Sequence, residues 1–222
     1  MRLFGIAGAL IGAATGAVLL GLHALHLPNL MVAAFTCAFN ALITGALHED
    51  GLADSADGLF GGKTREQRLE IMHDSRIGSF GAVALGIAMI SRVGAYDAFQ
   101  SLPPLSLILI MASVGSFSRA MVVDMMWATR PARSDGLSVL AGRPGRNGAL
   151  FALASGALLV LLAGYQLHNE VGFVALVSAG LTTGLMRRVT MRLIGGQTGD
   201  VCGAVQVLCE IVMLAAFAAM IG

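Results

Sequence analysis

The stretch NLMVAAFTCAFNALITGAL (29–47), followed without a gap by HEDGLADSADGLFGG (48–62), joins a membrane-length apolar run to a dense set of carboxylates. No helix breaker separates the two, so the reading is a second membrane span that continues as a helix into the acidic segment. On a continuous helix Asp50, Asp54 and Asp57 are spaced i, i+4, i+7 and fall within about 60° of one another. Leu52, Ala56, Leu59 and Phe60 take the other side. Carboxylates stacked on one face repel each other and weaken the helix. Such a face is retained when a cation sits among the oxygens, and hard oxygen donors suit magnesium, with manganese as the alternative. A solvated acidic face is the competing reading. Against it, this loop keeps its lysine and arginines in a separate stretch, Lys63 to Arg68.

Outward from this stretch the chain is apolar throughout. Of its 222 residues 56% are hydrophobic and 12% charged, about half the charged share of a soluble domain, near 25%. Apolar windows recur near 3–22, 29–47, 77–99, 104–127, 148–167, 171–186 and 201–221, the sixth being short. Each is expected to be helical, because hydrocarbon offers the backbone no other hydrogen-bond partner. The expected fold is all-α, a single polytopic bundle over 1–222 with about seven spans and no soluble domain. The stretch Phe4 to Leu22 follows one basic residue and is long for a signal-peptide core, so it reads as a retained span. Its Gly8, Gly12 and Gly16 form a small-residue ridge for close helix approach.

The basic residues orient the bundle. Only Arg92 and Arg119 lie within spans. The others fall at Arg2, in 48–76, in 128–147 and in 187–200, all on one side of a seven-span chain. The connections around 23–28, 100–103 and 168–170 hold no lysine or arginine, which predicts a cytoplasmic N-terminus and acidic site. A net charge of +1 gives no pointer to nucleic acid. Cys37, Cys202 and Cys209 lack metal spacing and read as core residues. His23 and His26 lack a third ligand, and His48 reads as interfacial.

Further polar residues gather on the expected cytoplasmic side. Asp74 and Ser75 resemble an N-cap for the third span, and Arg76 is placed for a bidentate phosphate contact. Arg119 and Asp124 lie in the fourth span and Glu210 in the seventh, where charge is expensive and faces a cavity or a partner. Arg119 is a phosphate-holding candidate, with an ion pair to Glu210 or Asp124 as the alternative. Arg92 and Asp97 are expected to pair or snorkel and carry no assigned function. GGQTGD (195–200) precedes the seventh span, with Thr198 or Asp200 as its cap and a helix N-terminus suited to phosphate.

HEDGLADSADGLFGG (48–62), IMHDSRIGSFG (71–81), FSRAMVV (117–123) and GGQTGDVCGAVQVLCE (195–210) resemble, in order, the motifs of the cobalamin synthase family, the adenosylcobinamide-GDP ribazoletransferases. The resemblance implies a multi-pass enzyme of the bacterial inner membrane. Such an enzyme joins adenosylcobinamide-GDP to α-ribazole or its 5′-phosphate, releases GMP and uses magnesium. It implies Asp50, Asp54 and Asp57 as the metal set, and Asp74, Ser75 and Arg76 as a second motif. Arg119, Thr198, Gly199, Asp200 and Glu210 match the remaining polar positions, expected to bind substrate. The expected chemistry is phosphoryl transfer, with Asp57 or Asp74 accepting the attacking hydroxyl's proton and Arg76 and Arg119 neutralising charge. The family usually carries an N-terminal arm before its first span, and a lysine where this chain has His73. A phosphotransferase using a CDP-activated donor is the nearest alternative and a cation transporter the next.

Overall fold

The computed structural model describes residues 1–167 and 169–221. In chain order the helices are α1 (Phe4–Ala24), α2 (Asn29–Ile43), α3 (Leu47–Gly61), α4 (Arg65–Ile71) and α5 (Ser79–Phe99). They continue as α6 (Pro104–Ala128), α7 (Leu137–Ala141), α8 (Arg146–Leu167), α9 (Asn169–Leu193) and α10 (Gly199–Ala218). No named strand occurs among the described residues; one isolated bridge joins Pro131 to Gln197. The all-α expectation holds.

Helix α6 is the hub, packing against α1, α8 and α10. The bundle leaves large apolar side chains exposed on its outside, among them Leu10, Ile90, Leu158 and Leu181. Hydrocarbon is the solvent in which such a surface is stable. Five helices, α1, α5, α6, α8 and α10, are long and apolar enough to cross a membrane, so the chain reads as a membrane protein. The expected second span differs in shape: α2 and α3 pass the same test together but are bent by 89°. The break lies where Gly45 and Ala46 adopt positive φ, 63° and 53°. That left-handed geometry ends a right-handed helix, so α2 does not run on into the acids. The three aspartates still share one helix, because α3 restarts at Leu47. The expected sixth span, 171–186, is the apolar part of α9, which carries on through Arg187, Arg188 and Arg192 and is not among the five. The structure therefore supports five or six spans by length and composition where the sequence suggests seven. The connection expected at 168–170 falls partly outside the described residues.

The α1 glycine ridge meets α6. A side chain at Gly8 would collide with the Gly115 carbonyl, and one at Gly12 with the Met111 carbonyl. No rotamer relieves a clash with backbone. Gly12→Leu is expected to lower the unfolding temperature by roughly 10 °C, read by scanning fluorimetry in detergent. An unchanged midpoint would show that this contact is not tight.

Candidate functional site

Helix α3 leaves α2 at a right angle and lies across the bundle, packed against α5 and α10 with α4 beside it. Its polar face holds Asp50, exposed, and Asp54, half-buried. Gly51 lets α10 come close, since a Cβ there would stand 2.7 Å from the Asp200 carbonyl and 3.2 Å from Gly203 Cα. Asp200, in the first turn of α10, thereby joins the acids of α3. Burial pushes the Asp54 carboxyl up to about 7, and the charges of Asp50, Asp200 and Asp57 add to the effect. Arg133 pulls the other way, with its Nη2 donating to Asp200 Oδ2 at 3.2 Å. The donor chemistry fits a hard divalent cation, which relieves the repulsion among neighbouring carboxylates. No three histidine, cysteine, aspartate or glutamate side chains form a ready metal-ligand group among the described residues.

Asp57 has other partners. Gly78 N–H donates to its Oδ2 at 2.7 Å and Gly81 N–H to its Oδ1 at 2.9 Å. It thus caps α5 from the neighbouring helix α3, although Asp74 and Ser75 looked like the cap from sequence. The glycines at 78 and 81 exist for this contact, because a Cβ at either would collide with the Asp57 carboxylate. Gly81→Val is expected to displace Asp57 and destabilise the fold by about 2 kcal/mol, measured by denaturant or thermal unfolding. Equal stability would dismiss the cap.

Beneath α3 lies an ion cluster. Arg92 Nη1 donates to Glu49 Oε1 at 2.5 Å, while Nε and Nη2 donate to Glu210 Oε1 and Oε2, each at 3.1 Å. Gln206 and Asn40 also donate to Glu210, at 2.8 and 3.3 Å. Glu210, expected to bind substrate, is thus enclosed in the bundle with Arg92 as its partner. Arg119, 3% exposed, donates to the Gly115 carbonyl at 3.1 Å and pairs with neither expected acid. Asp124 pairs instead with Arg187.

The other expected residues separate. Asp74 accepts from Arg76 Nε and Nη2 at 3.1 and 2.7 Å, and this guanidinium holds its carboxyl down at about 2. Both lie at the surface, as does Ser75. Thr198 is fully buried and caps α10 by accepting from Val201 N–H at 3.2 Å. Gly199 lines a cavity of about 1070 Å³ together with His48, Asp50 and Asp200, opposite apolar walls that include Phe4, Val122 and Met126. His23 meets Gln100 at 3.0 Å. Three participants were missed by sequence reasoning: Glu49, Arg92 and Arg133. Two charges within one membrane segment signal a buried partner, which could have flagged Arg92. Arg133 was absorbed into a topological count.

A model of the cobalamin-5-phosphate synthase family matches residues 1–218. Among curated relatives, an adenosylcobinamide-GDP ribazoletransferase from Azorhizobium caulinodans is 48% identical over 94% of this chain and 80% of its own length. Those from Sinorhizobium sp and Bradyrhizobium diazoefficiens are 42% and 44% identical, over 98% and 96% of this chain and 84% and 80% of theirs. No solved structure matches. With motifs, helices and relatives agreeing along nearly its whole length, the chain belongs to the cobalamin-5-phosphate synthase family.

Proposed function

We propose that this protein transfers the phosphocobinamide group of adenosylcobinamide-GDP to α-ribazole or its 5′-phosphate, at the cytoplasmic face of the bacterial inner membrane. The observation that carries the reading is the grouping of Asp54 and Arg133 with Asp50 and Asp200, the last two lining a large cavity, in a chain whose relatives bear that enzyme's name. A ribose hydroxyl of the acceptor attacks the phosphorus on the corrinoid side of the diphosphate. The bond to the guanylate oxygen breaks, and GMP leaves.

The carboxylates of Asp50 and Asp54, with Asp200 beside them, are the residues that would hold magnesium. Bound there, the ion supplies charge neutralisation for the diphosphate. Of the two bases named from sequence, Asp57 has both oxygens committed to backbone N–H groups. Asp74 binds a proton only weakly beside Arg76. Both are therefore poorly suited to take the proton of the attacking hydroxyl. The cavity's apolar walls suit an aromatic base or corrin edge, and its acidic rim suits the phosphate end.

The test supplies purified protein with adenosylcobinamide-GDP and α-ribazole, with and without magnesium, and watches for GMP. Magnesium-dependent GMP release is expected. CMP release from a CDP-activated donor, with no GMP from the corrinoid, would move the assignment to the alternative phosphotransferase class.

A further inference from the structure

The acid cluster poses an electrostatic problem for the proposed reaction. A donor carrying a diphosphate must approach Asp50, Asp54 and Asp200, yet Arg76 and Arg119, the phosphate candidates from sequence, are engaged elsewhere, as are Arg65 and Arg130. The Arg76 fork is closed on Asp74. Arg119 is buried and bonded to a backbone carbonyl. Arg65 and Arg130 spend their guanidinium groups on the carbonyls of Ile194, Ala132 and Gly195.

Arg133 differs from all of these. The chain just before it is tied down twice: Gln197 N–H donates to the Arg130 carbonyl at 2.9 Å, and Ala132 N–H to the Gln197 carbonyl at 2.8 Å. Arg65 Nη2 donates to the Ala132 carbonyl at 2.5 Å, fixing the residue just before Arg133. Gly136, at φ +92°, packs bare backbone on the guanidinium; a Cβ there would stand 3.2 Å from Nη2. The Arg133 side chain is only 18% exposed, and Nη2 reaches Asp200 at 3.2 Å. Its Nε is buried without a hydrogen bond, the nearest carboxylate, Asp135 Oδ1, standing 3.6 Å away. A guanidinium presents five N–H donors in a fork that fits two phosphate oxygens at once. Here the fork is anchored at one edge by a cluster acid and retains unspent donors, one of them already stripped of water.

We propose that Arg133 binds the diphosphate of the activated donor, with Asp200 holding its guanidinium at the acid cluster. The inference rests on the transferase reading above and adds to it the residue that recognises the donor's anion. The fixed loop supplies the position and Gly136 the room. Magnesium held by the carboxylates would offset their charge, and Arg133 adds a directed fork of donors for the phosphate oxygens.

The experiment uses the full chain in detergent, with GDP as the diphosphate probe and GMP as the control. Binding is followed by thermophoresis at fixed magnesium. For Arg133→Gln, GDP affinity is expected to fall about tenfold or more, with a smaller change for GMP. Arg133→Lys is expected to recover part of the loss, because lysine restores charge without the fork. In turnover, KM for the donor is expected to rise with KM for α-ribazole unchanged. Unchanged GDP binding in Arg133→Gln, or a wild-type chain that ignores GDP, overturns the proposal. So does a parallel rise in both KM values with a lowered unfolding temperature in both variants, which marks a structural residue. Wild type that binds GDP through Arg133 but releases no GMP from the corrinoid sinks the transferase reading and leaves this inference standing.

Discussion

Replacing Arg92 with methionine is expected to lower the unfolding temperature by roughly 10–20 °C, the largest stability effect of any single substitution named here. Arg92 is 1% exposed and is the cation between the buried carboxylates of Glu49 and Glu210. Removing it leaves two acids inside the bundle without their partner, and breaking a buried ion pair from one side costs about 3–5 kcal/mol. The expense comes from stranded charge, so neutralising the acids should repair it. The triple variant Arg92→Met, Glu49→Gln, Glu210→Gln is expected to regain most of the lost stability in thermal unfolding. If the triple variant is as unstable as the single one, packing and not charge is the source. Because Glu49 lies in the first turn of α3, the cluster also ties the acid-bearing helix to α5 and α10.

The second large effect is catalytic. Asp54→Ala is expected to reduce magnesium-dependent GMP release by about 100-fold or more, with the protein still folded. Its carboxyl titrates near 7 because burial and the neighbouring Asp50, Asp200 and Asp57 disfavour its charge. This value lies above the ordinary 3.8, so the folded chain binds a proton more tightly than the unfolded chain does. Stability contributed by this group is therefore full below about 4 and is lost as pH climbs through about 7. A cation replaces the proton, so magnesium should raise the unfolding temperature more at pH 8 than at pH 6. In Asp54→Ala that difference should shrink. A magnesium response independent of pH, or full turnover in the variant, would remove Asp54 from the metal site.

Much of the candidate site was legible because α3 obeys helical periodicity. Asp50 and Asp54 share a face whether or not α2 continues, so the break at Gly45 and Ala46 did not disturb that inference. Asp57 shows the limit of the same rule. Periodicity places it beside Asp54, but its oxygens are claimed by Gly78 and Gly81, more than twenty residues away in sequence. The cap of α5 was misplaced for a related reason: a residue far along the chain outcompeted the local Asp74. Arg119 and Glu210 share the polar heart of the bundle, yet the cation that Glu210 chose was Arg92.

The sequence by itself determined the membrane class, the helical fold, a small-residue ridge on α1 at Gly8 and Gly12 for close helix approach, and the family. These follow from composition, local spacing and motif order, which need no knowledge of which helices meet. Only the tertiary structure decided what the charges do. It turned α3 across the bundle, gave Asp57 to the N-terminus of α5, enclosed Glu210 with Arg92, and brought Asp200 and Arg133 to Asp54. A charged group in a low-dielectric interior takes whichever partner the packing brings within hydrogen-bond reach, and that pairing is set between helices.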